Sequence, residues 1–504
     1  MSDENTTNNP SQNEEPKSSP IQQQAVSKNK VISSLIWKFL ERGGVQGVQF
    51  VLSIILARLV TPEDYGVIAI LLVFIQIATV FIQSGFNTAL IQKKESDDLD
   101  FSSIFYLSLF VAGILYVILF FASPFVAKFY KSETLTQLLR VISLTLFFGA
   151  VNSVQNAYVS KTMQFRRFFF SSMGAVIGSG IVGIVMAYKG FGVWALVFQQ
   201  LVKDFLICVI LWFTVKWRPK FIFSFTRIKS LFSFGWKLLV SGLLDTVFRN
   251  IYNLIVGRIY NKETLGYFNR GHQFPQIIAT NLDGSIQSVM LPTLSSHNDD
   301  VIEVKRITRR SISMSAFLLM PCMFGLAAVA EPLVKVLLTD KWLPCVPFLQ
   351  LACISYAIYP IQTANLTGIN ALGRSDVFLK LEIIKKIITI LNILITVPLG
   401  IYAMAIGQVV SSFINSFINA FPNKKLMNYT YFEQWKDLMP SFLCSIVMAI
   451  CVWALHFIPL SSIILLLLQI VVGIGVYILL CKIFKIETFS YFINTIKGFK
   501  HGRK

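Results

Sequence analysis

Charge is scarce in this chain. Of its 504 residues, 14% are Asp, Glu, Lys or Arg and 54% are hydrophobic. That leaves too few polar groups to coat a water-soluble body of this size, which excludes a soluble enzyme. Histidine is sparser still: His272, His297, His456 and His501 are scattered, so no metal-ligating spacing arises and no metal or other cofactor is expected. The seven cysteines (Cys208, Cys322, Cys345, Cys353, Cys444, Cys451, Cys481) are odd in number, lack CxxC spacing and fall in or beside apolar stretches, so they are expected to be ordinary core residues. Acids number 26 against 45 bases, a formal net charge of +19. In a soluble protein that balance would suggest nucleic acid. Here the bases fall in short connections between apolar runs and act as topology signals, so no nucleic-acid partner is expected.

What is present is apolar sequence long enough to span lipid, again and again. Residues 1–30 carry Asn, Gln, Ser and Glu with no apolar run; they are expected to be a disordered cytoplasmic tail and not a signal peptide. After Val31, runs of about 20 apolar residues recur, which gives an all-α integral membrane protein of about 14 transmembrane helices. The expected spans are 33–57, 66–90, 102–123, 138–158, 168–188, 192–214, 232–256, 274–294, 311–330, 346–371, 378–398, 400–421, 439–458 and 461–482. Sorting Lys and Arg between alternate connections puts most of them on one side, and the positive-inside rule then places both termini in the cytoplasm.

The chain also repeats itself. Ala57-Arg-Leu-Val-Thr-Pro-Glu-Asp-Tyr-Gly66 returns as Gly257-Arg-Ile-Tyr-Asn-Lys-Glu-Thr-Leu-Gly266, with Arg, Glu and Gly in register. Trp37-Lys38 precedes the first copy as Trp236-Lys237 precedes the second. Gly192-Val-Trp-Ala195 with Gln200 matches Gly400-Ile-Tyr-Ala403 with Gln408. Six spans separate the copies, so the halves share one orientation. The expected organisation is a tail (1–30), a first six-helix bundle (31–215), a basic cytoplasmic linker (216–230), a second six-helix bundle (231–421), and two C-terminal helices with a basic tail (422–504).

The block Ile55-Leu-Ala-Arg-Leu-Val-Thr-Pro-Glu-Asp-Tyr-Gly66, followed by Gly85-Phe-Asn-Thr-Ala-Leu-Ile-Gln-Lys-Lys94, resembles the signature of bacterial polysaccharide flippases. The similarity extends over about residues 30–420 and includes Ala371-Leu-Gly-Arg-Ser-Asp376. The family is that of Wzx-type O-antigen, colanic acid and teichuronic acid exporters, within the multidrug/oligosaccharidyl-lipid/polysaccharide superfamily. The resemblance implies two six-helix bundles around a central cationic cavity. It also implies a substrate, an undecaprenyl-pyrophosphate-linked oligosaccharide turned from the cytoplasmic to the outer leaflet of the bacterial cytoplasmic membrane. Membrane lipids and other polysaccharide-assembly proteins are its implied partners.

Independently of the resemblance, ionisable groups inside spans are the candidates for chemistry, because each costs about 2.5–3.5 kcal/mol to insert at a helix centre. The first span carries Lys38, Glu41 and Arg42, with Gln46 and Gln49 continuing one face. The seventh carries Lys237, Ser241, Asp245, Arg249 and Asn253 at four-residue spacing. Lys38 can pair with Glu41 and Asp245 with Arg249, which leaves Arg42 and Lys237 to meet a substrate phosphate; the bland alternative is that the lysines snorkel to headgroups. Substrate binding is therefore expected at Arg42, Lys237, Lys38, Arg249, Gln46 and Gln49. Glu41, Asp245, Lys203, Asp204 and Asp283 are expected to pair charge or couple transport to an ion. Lys203-Asp204 also reads as a self-neutralising neighbour pair and Asp283 as an interhelical hydrogen-bonding residue, and Arg58 and Arg258 read as turn-fixing residues paired locally with Glu63 and Glu263. Close helix packing is expected along Gly174-x-x-x-Gly178 and Gly183, and bending at Gly43-Gly44 and Pro360. Two other functions stay open: an organic-cation exporter of the same superfamily, which should line its cavity with acids, and a membrane polysaccharide polymerase or glycosyltransferase. The second needs a large extramembrane loop, whereas no connection here exceeds about 20 residues.

Overall fold

A computed structural model of the chain describes residues 37, 41–83, 90, 96–297, 300–492 and 494, without the side chains of Glu41, Arg42, Ser230, Leu231, Ser233 and Phe234. Among the described residues every regular element is helical. In lipid each backbone N–H and C=O must be satisfied inside its own segment, which a helix does and an open strand does not.

A π-helical turn, Glu41–Val45, leads into α1 (Gln46–Leu59). There follow α2 (Pro62–Gln83), α3 (Asp98–Phe129), α4 (Thr134–Ile142), α5 (Thr145–Thr162), α6 (Phe165–Tyr188), α7 (Val193–Thr214) and α8 (Phe225–Ile259). The rest of the chain forms α9 (Lys262–Ser295), α10 (Val301–Ala328), α11 (Ala330–Leu338), a 3₁₀ turn (Asp340–Cys345), α12 (Val346–Ala357), α13 (Tyr359–Ala371), α14 (Ser375–Thr396), α15 (Ile401–Ala420), α16 (Asn423–Met427), α17 (Tyr431–Ala454) and α18 (Ser462–Ile483).

Among the described residues, ten helical passages are long and apolar enough to cross a membrane. The other four expected spans coincide with α1, α8, α9 and α14, which are shorter or more polar; α8 carries Lys237, Asp245 and Arg249, and α14 carries Glu382, Lys385 and Lys386. The all-helical membrane architecture of about 14 helices therefore holds. The expected bends have local causes. Gly43-Gly44 lies in the π turn, and Pro360 opens α13 just after α12 ends, where its missing N–H costs no hydrogen bond. Helix starts are set by side-chain caps: Asp97 with Asp100 and Thr430 with Glu433 form capping boxes, and Asn261 accepts from the Thr264 N–H. The repeated Gly-x-x-Ala motif has a backbone reason, since Gly192 (φ +53°) and Gly400 (φ +103°) take left-handed turns immediately before α7 and α15.

The chain divides into two compact units, Met1–Leu56 with Leu71–Ile251, and Ala57–Ile70 with Tyr252–Lys504. In the first, α6 lies against α7 through small residues: a Cβ on Gly178 would stand 2.6 Å from the Leu206 side chain, and one on Gly183 would stand 3.0 Å from Gln199. A core of Phe101, Phe105, Val154, Leu211 and Trp217 joins α3, α5 and α7. Asp98 anchors the basic segment that follows α7, accepting from the Trp217 indole at 3.2 Å and pairing with Lys220 at 2.7 Å. In the second unit, α10 and α17 pack around Ile312, Ala316, Met320 and Leu438.

The short segment that joins the second unit out of chain order contains the first copy of the repeat. Gly66 and Gly266 cross symmetrically. A Cβ on Gly66 would stand 1.7 Å from the Lys262 carbonyl oxygen, and one on Gly266 would stand 2.0 Å from that of Pro62, the position equivalent to Lys262 in the repeat. Only glycine permits this approach of the two helix starts. Around it the Trp342 indole donates to the Ala57 carbonyl at 2.8 Å, and Lys341 donates to those of Arg58 and Val60 at 2.7 and 2.9 Å. The Arg270 guanidinium lies 4.7 Å from the Tyr65 ring centre and 5.2 Å from that of Trp342. Local pairing of Arg58 with Glu63 is not what forms. Arg58 donates instead to the carbonyls of Leu337, at 2.8 Å, and Val336, satisfying the open C-terminal end of α11, while Glu63 faces Lys262 at 3.5 Å and Glu263 accepts from the Tyr267 hydroxyl at 2.7 Å.

Candidate functional site

Three elements of the first unit line an open polar cavity of about 360 Å³. Gln46 and Gln49 reach it from α1, Ser172 and Val176 from α6, and Lys203, Asp204 and Ile207 from α7. The structure thus gathers expected substrate-binding residues and expected ion-coupling residues into one place. The approach to it is unusual, because the π turn ahead of α1 re-aims side chains relative to a regular helix. Glu41 and Arg42 belong to that turn, but their side chains, like Lys38 as a whole, lie outside the described residues.

Lys203 and Asp204 do not neutralise each other directly. Lys203 Nζ donates to Gln200 Oε1 at 2.9 Å, and Gln200 Nε2 donates to Asp204 Oδ2 at 3.1 Å, so one amide bridges the two charges. Adjacent helical residues point about 100° apart and cannot face each other, whereas positions three and four apart can, which is why Gln200 serves both. Asn152 of α5 donates to the Asp204 backbone carbonyl at 3.1 Å and ties that helix to the site. Sequence reasoning noted Gln200 only as a repeat match. Its equivalent in the second unit, Gln408, likewise contacts a buried ionisable group, His272 Nε2 at 2.7 Å.

On α8, Arg249 pairs with Asp245 at 2.8 Å, the expected i,i+4 contact. Lys237 is exposed and has no ion-pair or hydrogen-bond partner among the described residues. Next to Arg249 in the chain, the buried Asn250 donates to Gln76 Oε1 at 2.9 Å.

In the second unit, Asp283 of α9 is 2% exposed. Its carboxylate lies 3.4 Å from Gln287 Nε2, with Thr363 and Ser315 beside it. These neighbours come from α9, α10 and α13, and none stood out in the sequence, because hydroxyl and amide residues are common in membrane helices and their convergence depends on helix packing.

The family model described as "Polysaccharide biosynthesis protein" matches residues 55–347. The chain is 25% identical over 365 residues to the succinoglycan biosynthesis transport protein ExoT of Rhizobium meliloti (strain 1021), covering 72% of this chain and 74% of that protein. To the teichuronic acid biosynthesis protein TuaB of Bacillus subtilis (strain 168) it is 23% identical over 353 residues, covering 69% and 72%. Among solved structures it is similar to the lipid II flippase MurJ in an inward closed conformation, with a TM-score of 0.71 and 17% identity over 90% of this chain and 98% of that one, a likeness of fold. This multi-pass helical membrane chain belongs to the polysaccharide biosynthesis protein family.

Proposed function

We propose that the protein is a transporter, not an enzyme, which flips undecaprenyl-pyrophosphate-linked oligosaccharide repeat units across the cytoplasmic membrane by alternating access for surface polysaccharide synthesis. The observation that carries this reading is the family match over residues 55–347 in a chain built of membrane-length helices. The names of its relatives, a polysaccharide transport protein and a teichuronic acid biosynthesis protein, support the substrate class. The fold shared with a lipid II flippase supports a lipid carrier.

In this reading Arg42, Lys237 and Lys38 engage the carrier's phosphates, Arg249 assists while held by Asp245, and Gln46 and Gln49 offer hydrogen bonds to the substrate. Glu41 balances charge in the first span. Lys237 supports the assignment because its ammonium has no counter-ion among the described residues, and a phosphate supplies one. Both termini face the cytoplasm, in keeping with the distribution of Lys and Arg.

Complementation of a flippase-deficient strain tests the site. Arg42→Lys should retain part of the surface glycan, while Arg42→Gln and Lys237→Gln should each lose most of it at unchanged membrane abundance. Glu41→Gln should leave it intact. Wild-type glycan from both Arg42→Gln and Lys237→Gln would remove the site assignment.

A further inference from the structure

The basic segment between α7 and α8 is tied down along one side. Trp217 is buried in the core of the first unit, with its indole on Asp98 and its ring stacked on Tyr158 at 6.1 Å between centres. The backbone N–H of Lys220 donates to Ser102 Oγ and that of Ser224 to Ser103 Oγ, each at 3.0 Å. The Arg218 guanidinium turns back to the carbonyls of Trp212 and Val215 and closes the C-terminal end of α7. The segment leaves α7 at Thr214, enters α8 at Phe225 and runs beside the first turns of α3, so it lies at the level of the helix ends, where a bilayer has its headgroups.

The other side is open, and it is apolar. Phe221 is 97% exposed, Phe223 55% and Phe225 72%, at alternate positions along the chain. Ring surface of that extent is costly to keep in water, whereas aromatic side chains are favoured at the boundary between headgroups and acyl chains. Cations stand among the rings: Lys216, Lys220, Arg227 and Lys229 are all exposed, and no acid occurs from residue 205 to residue 244. Asp98 holds Lys220 at 2.7 Å and Asp97 holds Arg227 at 3.7 Å. The ammonium groups of Lys216 and Lys229 have no ion-pair or hydrogen-bond partner among the described residues. A soluble acidic partner would answer the charges but not the rings, at a depth that lipid already occupies. An anionic lipid surface answers both.

We propose that residues 216–229 form an interfacial anchor for anionic phospholipids. Phe221, Phe223 and Phe225 enter the boundary between headgroups and acyl chains, while Lys216 and Lys229 meet anionic headgroups. A zwitterionic lipid accommodates the rings but carries no net charge, so occupancy of this surface depends on lipid charge. The anchor uses none of the residues assigned to the lipid-linked substrate, and it gives the basic linker a task beyond setting topology.

The test uses the full-length protein reconstituted, without any lipid-linked sugar, in vesicles of phosphatidylcholine alone or with about 30% phosphatidylglycerol in both leaflets. On a cysteine-free background, a nitroxide at Phe223→Cys should be more accessible to oxygen than to an aqueous nickel complex, because it sits in the bilayer boundary. Spin-labelled phosphatidylglycerol should be immobilised by the wild type in preference to spin-labelled phosphatidylcholine. Lys216→Gln with Lys229→Gln should lower that preference about twofold or more, and Lys424→Gln with Lys425→Gln, an exposed basic pair elsewhere, should leave it nearly unchanged. Salt at about 1 M should reduce the wild-type preference. A nitroxide as open to the nickel complex as to oxygen would leave the surface to water or to a soluble protein and overturn the proposal. So would the absence of a lipid preference in the wild type, or a loss from Lys216 and Lys229 no larger than that from Lys424 and Lys425. The glutamine substitutions sit at exposed positions and the wild-type comparison needs none, so misfolding does not mask the result. Since no substrate is present, the outcome is independent of the flippase reading.

Discussion

Gln200 sets the state of the charged pair beneath the first unit's cavity. With its amide removed, Asp204 loses its side-chain donor and Lys203 its acceptor. Gln200→Leu should therefore lower stability by about 1–3 kcal/mol, the cost of leaving buried polar groups unpaired, read as a reduced unfolding midpoint of the purified protein. An unchanged midpoint would mean that water already does the amide's work. This bridge was half legible in the sequence. Residues 203 and 204 are neighbours and so cannot pair face to face, while 200 stands three and four positions away on the right side of the helix. What brings Gln46, Gln49 and Ser172 to the same cavity is the packing of α1, α6 and α7, which no local spacing encodes. Arg58 teaches the same lesson from the other side. Its place at a helix end was plain, but its acceptors lie 279 and 278 residues away, on a short helix whose terminal carbonyls need a donor.

Among the elements, the crossing of the two helix starts at Gly66 and Gly266 gives the internal repeat a physical meaning. The sequence showed Arg, Glu and Gly recurring in register. The structure shows each glycine lying against the backbone of the other copy, so that the repeat is also a contact. A methyl group at either position cannot coexist with that approach. Gly66→Ala and Gly266→Ala should each force the helix starts apart and loosen the cover over Cys345, which is fully buried beside Gly271 on α9. In a protein retaining Cys345 as its one cysteine, both variants should speed labelling of that thiol severalfold, whereas Gly113→Ala, which meets nothing within 4 Å, should not. Equal labelling in all four proteins would mean that the crossing does not hold this end of the unit closed.

At the scale of the whole chain, the membrane architecture was almost entirely legible, because lipid allows so few solutions: a long apolar run must become a helix, and about 20 residues set its length. The expectation weakened where function intrudes. The helices α8, α9 and α14 carry charges that blur the apolar signal, and α8 and α9 are the elements bearing Lys237, Arg249 and Asp283. The same reasoning fixes an orientation that labelling can check. On a cysteine-free background, Lys424→Cys, at an exposed position between α15 and α17, should react with an impermeant thiol reagent only after cells are opened. Thr134→Cys, at the exposed start of α4, should react in intact cells. The reverse pattern would invert the topology and send the proposed substrate pathway the wrong way.

The measurement that bears most directly on the central claim is transbilayer movement of a polyprenyl-pyrophosphate-linked oligosaccharide in vesicles reconstituted with the purified protein. Enzymatic capture of the sugar at the outer surface reports the flipped fraction. The account predicts protein-dependent flipping, lost in Arg42→Gln, partly kept in Arg42→Lys and absent for a polyprenyl-linked oligosaccharide that has no phosphate. Vesicles that carry the folded wild-type protein yet move the sugar lipid no faster than protein-free vesicles, under either direction of ion gradient, would contradict it.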